Sequence, residues 1–430
     1  MPLQFRKKGV RTELFTSKTL MIMNKKLMMI GLFLVAMLTG CSYDESPEAV
    51  DLGQTNVSAE FVSADEATTI AATVQFGPAE ATTAAGKATT RSAGLNKEVE
   101  SVTPVPDASG ATAFYVINYK GGGFMILSAD KRVDPVMAVS ETSTFPVNEA
   151  LYPEGLVDWM TEAKAYVQDI RVKNAPLTEE MKAAWEPSSI QRVAAPSKDR
   201  EILLSNNNAT RNGGCQNYYE GVEQLLTTQW GQTHRFNALL GMVTCPDGST
   251  HRAYAGCVAV AMAQIMKYHR HPSSYNWNNM PDRVATMETA KLIRDIGIAV
   301  KMSYRCDGSG ARIEDAVAAF RNTFHYPKAK AANFDLAIVR RELKARRPVY
   351  LRGGQEGPYG WYTNGHAWVC DGWRIIITYN ANCQPHVNEG LHMNWGYEGS
   401  FDAWYTPYDW RPNGSVHNYQ KMMIYEIIPS

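Results

Sequence analysis

The chain has no surplus of charge of either sign: 43 Lys and Arg balance 43 Asp and Glu over 430 residues. That balance argues against a nucleic-acid partner, whose phosphates need an excess of basic side chains. It argues equally against a polybasic grip on anionic lipid. Nor is there an apolar run long enough to span a bilayer comfortably, which takes about 20 residues; the one strongly apolar stretch covers residues 27–38. No internal repeat is present. Charged residues amount to 20%, and 10 Trp and 21 Tyr accompany them, which excludes a chain disordered throughout. What remains is 45% hydrophobic, with length for two or three domains of roughly 100–200 residues each and a sizeable core.

The apolar stretch reads as an address. Lys25 and Lys26 precede Leu27 to Leu38, and Thr39-Gly40-Cys41 follow, which is the basic, apolar, small-residue order of a secretory signal. Leu38-Thr39-Gly40-Cys41 resembles the bacterial lipobox, in which the Cys is lipidated and becomes the mature N-terminus. An ordinary signal peptide with an incidental Cys is the plainer alternative. Residues 1–41 are therefore expected to be a lipoprotein signal peptide, with 1–22 a spurious extension if Met23 is the true start. Residues 42–60, beginning with Asp44, Glu45 and Glu48, read as a tether. Export permits disulfides.

Residues 80–110 are rich in Ala, Thr, Ser, Pro and Glu and read as linker or loop. Between the two polar stretches, Ser63 to Phe76 has a Ser cap and apolar returns at helical spacing. Ala113–Tyr119, three glycines and Phe124–Ser128 predict a hairpin, continued by Val136–Val139. Leu156–Val172 and Thr178–Trp185 read as helices. Residues 187–214 turn polar, and a domain boundary is placed there, with Arg200 and Arg211 as sites for proteolytic nicking. Beyond Cys215, Val258–His269 is apolar nearly all round, the mark of a central buried helix. Thr286–Val300 and Ile313–Phe324 are amphipathic. Five later segments read as strands: 348–352, 366–370, 374–379, 390–394 and 421–427. Helices first and strands later make this half α+β.

Two features point to chemistry on residue grounds alone. Cys257 follows Ala255-Gly256 and opens the buried helix, where the macrodipole favours a thiolate. Gly256 lets a substrate carbonyl approach, so the Cys257 amide can serve as an oxyanion donor. About 110 residues downstream Gly365-His366 begins a strand, and Asn394-Trp395-Gly396 ends another. Cys, then His, then Asn, widely separated, is the order of a thiol nucleophile with a distant base. Each residue taken singly has a bland reading: a packed core thiol, a hydrogen-bonded interior His, a turn, and in Gln232 a surface amide.

Taken together, Leu225 to Gln232, Phe236-Asn237, Cys245-Pro246, Ala255 to His269 and Tyr275 to Asn279 resemble the streptopain family of bacterial cysteine proteases. The likeness continues through Asp295 to Val300, Ser309-Gly310, Arg347 to Tyr350, Gly365 to Trp368, Asp371-Gly372, His392 to Gly396 and Asn418 to Gln420. Ser63 to Phe76, Phe124 to Asp130 and Pro135 to Ser140 resemble that family's propeptide. The resemblance implies a papain-like α+β protease domain over 212–430, preceded by a small α+β inhibitory propeptide over 61–211 that closes the site until cleavage. It implies Cys257 as nucleophile, His366 as base, and Gln232 as oxyanion donor beside the Cys257 amide. Trp395 is expected to shield and orient the imidazole with Asn394 in support, and Ser309, Gly310 and Gly365 to bind substrate. A free thiol titrates at about 8.5, and pairing with an imidazolium lowers it by several units. No cofactor is implied. The implied partners are peptide substrates, the chain's own propeptide, and a membrane through lipid on Cys41.

Five cysteines remain: Cys215, Cys245, Cys306, Cys370 and Cys383. Five is odd, so at least one stays free within the chain, and Cys370 with Cys383 is one pairing that neighbouring strands would allow. Three rival readings stand beside a protease. His366, Cys370, Cys383 and His386 are acceptable zinc ligands by type. A binding protein on a decayed protease scaffold is a second, and a thiol amidase or acyl transferase a third. His269 and His271 read as a solvated helix end.

Overall fold

The protein is described from a computed structural model that covers residues 58–76, 97–147, 152–194, 215, 217–356, 362–380, 382–407 and 421–430. The expected signal peptide, Cys41 and nearly all of the tether lie outside the described residues, as do Arg200 and Arg211.

The first helix of the described residues, α1 (Ala64–Thr73), begins where Ser63 Oγ accepts from the Glu66 amide at 3.1 Å, with Asp65 and Glu66 at the positive end of its dipole. An antiparallel meander follows: β1 (Val99–Pro106), β2 (Thr112–Tyr119), β3 (Phe124–Ser128) and β4 (Val136–Ser140). Side chains alternate along β2, so Phe114 and Val116 face one way and Tyr115, Ile117 and Tyr119 the other. Both faces are covered. Phe114, Val116, Phe124 and Ile126 share a core with Trp159, Ala163 and Val167 of α2 (Glu154–Val172). The opposite face packs on Ala67 and Ala71 of α1 and on Ile190 and Val193. That double burial explains why β3 and β4 read as continuous apolar runs.

Two segments expected as linker are ordered elements. Residues 99–106 form the edge strand β1, which accommodates Pro104 and Pro106 because its outer side has no ladder partner. Residues 187–194 form a helix, α4 (Pro187–Ala194), after α3 (Glu179–Ala184); its Ile190, Val193 and Ala194 are buried.

The second half opens with β5 (Tyr218–Val222) and a hairpin of β6 (Met242–Thr244) and β7 (Thr250–Arg252). Helix α5 (Cys257–His269) is the centre, with every residue from Cys257 to Met266 buried. After it come α6 (Met287–Ala299), the short pair β8 (Ser303–Tyr304) and β9 (Ser309–Gly310), α7 (Ile313–Ala318) with a π turn at Ala319–Thr323, β10 (Lys330–Asn333) and α8 (Leu336–Lys344). Strands β11 (Val349–Glu356), β12 (Tyr362–Tyr379), β13 (Pro385–Asn394), β14 (Ala403–Tyr405) and β15 (Met422–Tyr425) complete it. The two strands expected at 366–370 and 374–379 are one. The ladder to β13 shifts register between Cys370 and Gly372; a Cβ on Gly372 would lie 2.8 Å from His392 Cβ and from Trp404 Cη2.

Helices and antiparallel strands thus make a mixed α+β fold, as expected. The strands run β1-β2-β3-β4-β14-β13-β12-β11-β15-β10, with β5 added to β12, in one continuous sheet. The halves join where β4 meets β14, Val139 opposite Trp404 and Ala138 opposite Tyr405.

Candidate active site

Cys257 owes its position to Gly256. That residue sits at φ 86°, a conformation favoured by glycine, and a Cβ there would lie 2.8 Å from Met302 Cε and 3.0 Å from the Ser309 carbonyl oxygen. The chain can therefore turn sharply into α5, leaving Cys257 as the first helical residue, at the positive end of a 13-residue helix. Cys257 is 8% exposed and its thiol is unbridged. It lines a cleft of about 970 Å³ together with Gln232, Ser309, Gly310, Gly365 and His366. The other free cysteine among the described residues, Cys370, is fully buried, and burial pushes its thiol well above the ordinary range, which makes it inert.

His366 projects from β12 on the opposite wall. Its Nε2 lies 3.0 Å from the Trp395 carbonyl oxygen. A carbonyl only accepts, so Nε2 carries the hydrogen and Nδ1 is the basic nitrogen of the neutral ring. Trp368, two residues along the strand and so on the same face, lies parallel to the imidazole at 6.0 Å with a 10° interplanar angle. Trp395 at 6.4 Å and Tyr397 at 5.6 Å complete an aromatic surround. Sequence reasoning missed Trp368, although its two-residue spacing from His366 in a strand was a readable signal.

Gln232 is half-buried, and its backbone oxygen accepts from the Ala255 amide at 3.0 Å, tying its loop to the Cys257 turn. Glu398 supports the same loop from the other side: its amide donates to the Trp230 oxygen and its carboxylate lies 2.6 Å from His234 Nδ1. Ser309 and Gly310, expected to bind substrate, pair with Tyr304 and Ser303 as a two-residue strand that borders the cleft. Asn394 holds the site at one remove from the imidazole. Its Oδ1 accepts from Gln264 Nε2 at 2.8 Å and from the Gly396 amide at 3.2 Å, and its Nδ2 donates to the Thr228 oxygen. Gln264 lies on α5, so Asn394 fastens the helix that begins at Cys257 to the strand that precedes Trp395.

Two alternatives left open by the sequence are excluded, and one expectation is corrected. The disulfides join Cys215 to Cys383 and Cys245 to Cys306, so Cys370 does not pair with Cys383. Cys370 sits within β12 with its side chain turned into the core, whereas Cys383 lies in the β12–β13 turn within reach of the segment before β5. The zinc quartet falls with it, because Cys383 is bridged and His386 Nε2 faces Asp134 at 2.9 Å. His269 is not a solvated helix end. Its ring packs against Tyr326, and burial, with His271 nearby, brings its pKa down to about 4.

The upstream half reaches the aromatic surround directly. A Cβ on Gly155 of α2 would lie 2.6 Å from Trp368 Cζ3 and 2.7 Å from Trp395 Cζ3, so this helix rests against both indoles. One turn on, Trp159 Nε1 donates to the Thr406 oxygen at 3.1 Å, and Glu162 pairs with Lys421 in a largely buried contact.

Comparison with known proteins agrees with this geometry. Residues 230–274 and 273–405 match the Peptidase C10 family, and residues 59–167 match the Spi protease inhibitor family. Streptopain of Streptococcus pyogenes is 26% identical over 345 residues, covering 68% of this chain and 73% of that protein. The thiol protease/hemagglutinin PrtT of Porphyromonas gingivalis is 27% identical over 327 residues, which is 66% of this chain but spans only 33% of that larger protein. In fold, the chain is similar to a fragment of Prevotella intermedia prointerpain A, with a TM-score of 0.52 and 23% identity over 77% of this chain and 99% of that one. The chain is thus a streptopain-like cysteine protease that matches the Peptidase C10 family over residues 230–405, with a propeptide ahead of that region.

Proposed function

We propose that the chain is an exported, lipid-anchored endopeptidase made as a zymogen, with Cys257 as nucleophile and His366 as general base. The observation that carries this reading is the cleft itself. A thiol at a helix N-terminus, an imidazole whose tautomer is set by a carbonyl, and a glutamine all open onto one space.

In the reaction, His366 Nδ1 takes the Cys257 proton, giving a thiolate–imidazolium pair. The thiolate attacks the peptide carbonyl, and the oxyanion is met by the Cys257 amide and the Gln232 side chain. Losing one such donor typically costs about 3–4 kcal/mol of transition-state stabilisation. The imidazolium protonates the leaving amine, and His366 then activates water to release the acyl-enzyme. Ser309, Gly310 and Gly365 border the peptide's path. Trp368 and Trp395 keep water from the imidazole, and Asn394 steadies the turn behind it.

The propeptide is read as 61–211 and the mature protease as 212–430, with cleavage near Arg200 or Arg211. The contact of α2 with the two indoles supports a role for the propeptide in latency, since it leans on the groups that orient His366. Anchoring rests on Leu38-Thr39-Gly40-Cys41 and predicts that Cys41→Ala abolishes incorporation of labelled fatty acid in a bacterial host.

The direct test is casein hydrolysis by the purified chain before and after limited trypsin treatment, with Cys257→Ala alongside. Activity that appears on cleavage, requires reductant and is absent from the variant is expected. Activity surviving in Cys257→Ala would overturn the nucleophile assignment. Clean processing with full reduction and no hydrolysis by the natural chain would favour an acyl transferase or a binding protein.

A further inference from the structure

Behind the Trp395 turn lies a group of buried charges that the reaction does not itself consume. Asp371 and Arg374 come from β12, His392 from β13, and Asp402 from the approach to β14; all four are buried. Asp371 Oδ1 lies 2.6 Å from His392 Nδ1, while its Oδ2 accepts from the Leu226 amide at 2.9 Å. The His392 ring meets Trp404 edge to face at 5.2 Å, and the Arg374 guanidinium lies 4.6 Å from the centre of that same indole. Asp402 Oδ1 accepts from the Trp395 amide at 2.9 Å.

That last bond connects the group to the catalytic imidazole. The amide of Trp395 belongs to the peptide plane before the residue, and its carbonyl to the plane after it. Asp402 fixes the first plane. Asn394 Oδ1 fixes the second through the Gly396 amide, and the carbonyl of that second plane meets His366 Nε2. With both planes held, the direction of the carbonyl is determined, and with it the tilt of the ring. Releasing either plane lets the carbonyl swing.

We propose that Asp402 is a positioning residue for His366, acting through Trp395, with His392, itself held by Asp371, offsetting its charge in the interior. The inference rests on the reading of His366 as the base. A carboxylate buried this deeply is costly unless neighbouring groups compensate it, and Asp402 has a clear reason to be there if its acceptor strength is used. Burial raises its carboxyl to about 7, opposed by the Trp395 amide and His392 and assisted by Asp371. Ionisation strengthens the acceptor, so the Trp395 plane is held most firmly above that pH.

The test is kcat and KM on a peptide substrate across pH 5–9, using the full chain activated by limited proteolysis. The proteins are wild type, Asp402→Ala, Asp402→Asn and Cys257→Ala. Asp402→Ala should lose roughly 10–100-fold in kcat with KM nearly unchanged, the signature of a displaced catalytic group rather than a lost substrate contact. Asp402→Asn keeps an acceptor oxygen and should recover most of that kcat, but it should lack the wild-type rise in kcat through about pH 7. Equal kcat in wild type and Asp402→Ala would overturn the proposal, as would an Asp402→Asn profile that superimposes on wild type. If Asp402→Ala fails to fold, the Asp402→Asn profile decides alone. Activity in Cys257→Ala would instead overturn the assignment of the site, so the two failures are distinguishable.

Discussion

At the scale of single residues, the site depends on what Gly256 lacks. Its φ of 86° would cost an L side chain roughly 1–2 kcal/mol, and the contacts with Met302 and the Ser309 oxygen would add to that. Gly256→Ala is therefore expected to lower the melting temperature by several degrees and to depress turnover more than Cys370→Ala, which alters a core thiol away from the cleft. Thermal unfolding and casein hydrolysis on the two variants check this. The place of Cys257 at the head of a buried helix was readable from sequence because its signal is local: a glycine, a cysteine and an apolar helix in succession. That His366 and Gln232 line the same cleft needed the spacing of several motifs. Asp402 was not readable, since its role depends on which amide it meets, and nothing near it in sequence names Trp395 as the partner.

At the scale of elements, the proposed catalytic groups are carried on rigid parts: α5 for the thiol and β12 for the imidazole, fastened together by Gln264 and Asn394. The helix of the upstream half that touches this assembly does so through its one residue without a side chain there. Gly155→Val would push that helix off the indoles, or push the indoles themselves. The expected result is a zymogen that needs less trypsin to reach full activity, measured as the protease dose for half-activation. An unchanged dose would mean that α2 does not contribute to latency. Long helices and doubly covered strands were legible because their apolar patterns are strong. The edge strand β1 was not, because a half-exposed edge tolerates the Pro, Thr and Glu that elsewhere mark a loop. Helix α4 was hidden in polar sequence, its buried face being only Ile190, Val193 and Ala194 beside Ser189.

At the scale of the molecule, residues 58–430 form one compact unit, and the sheet passes from the propeptide half into the protease half without a break. This continuity was invisible in sequence, since the β4–β14 pairing joins residues more than 260 positions apart. Buried charge also gives the whole fold a pH signature. Burial lifts the Asp402 carboxyl from an ordinary 3.8 to about 7 in the folded state, so the native state binds the extra proton. Its contribution to stability is present below about pH 4 and lost as pH rises to about 7. His392, raised by Asp371 against the effect of burial, acts in the same direction above its ordinary pKa. Urea unfolding at pH 5 and pH 8 should therefore show a larger loss for wild type than for Asp402→Asn, whatever the remaining carboxylates contribute to both.

The proposed function requires one thiol, that of Cys257, to be reactive and governed by the upstream half. Iodoacetamide labelling of the reduced chain, mapped by mass spectrometry before and after limited trypsin treatment, tests that most directly. Carbamidomethylation of Cys257 should accelerate on cleavage and track the loss of activity one for one, while Cys370 stays unlabelled. Inactivation that follows another cysteine, or full activity with Cys257 alkylated, would contradict the account.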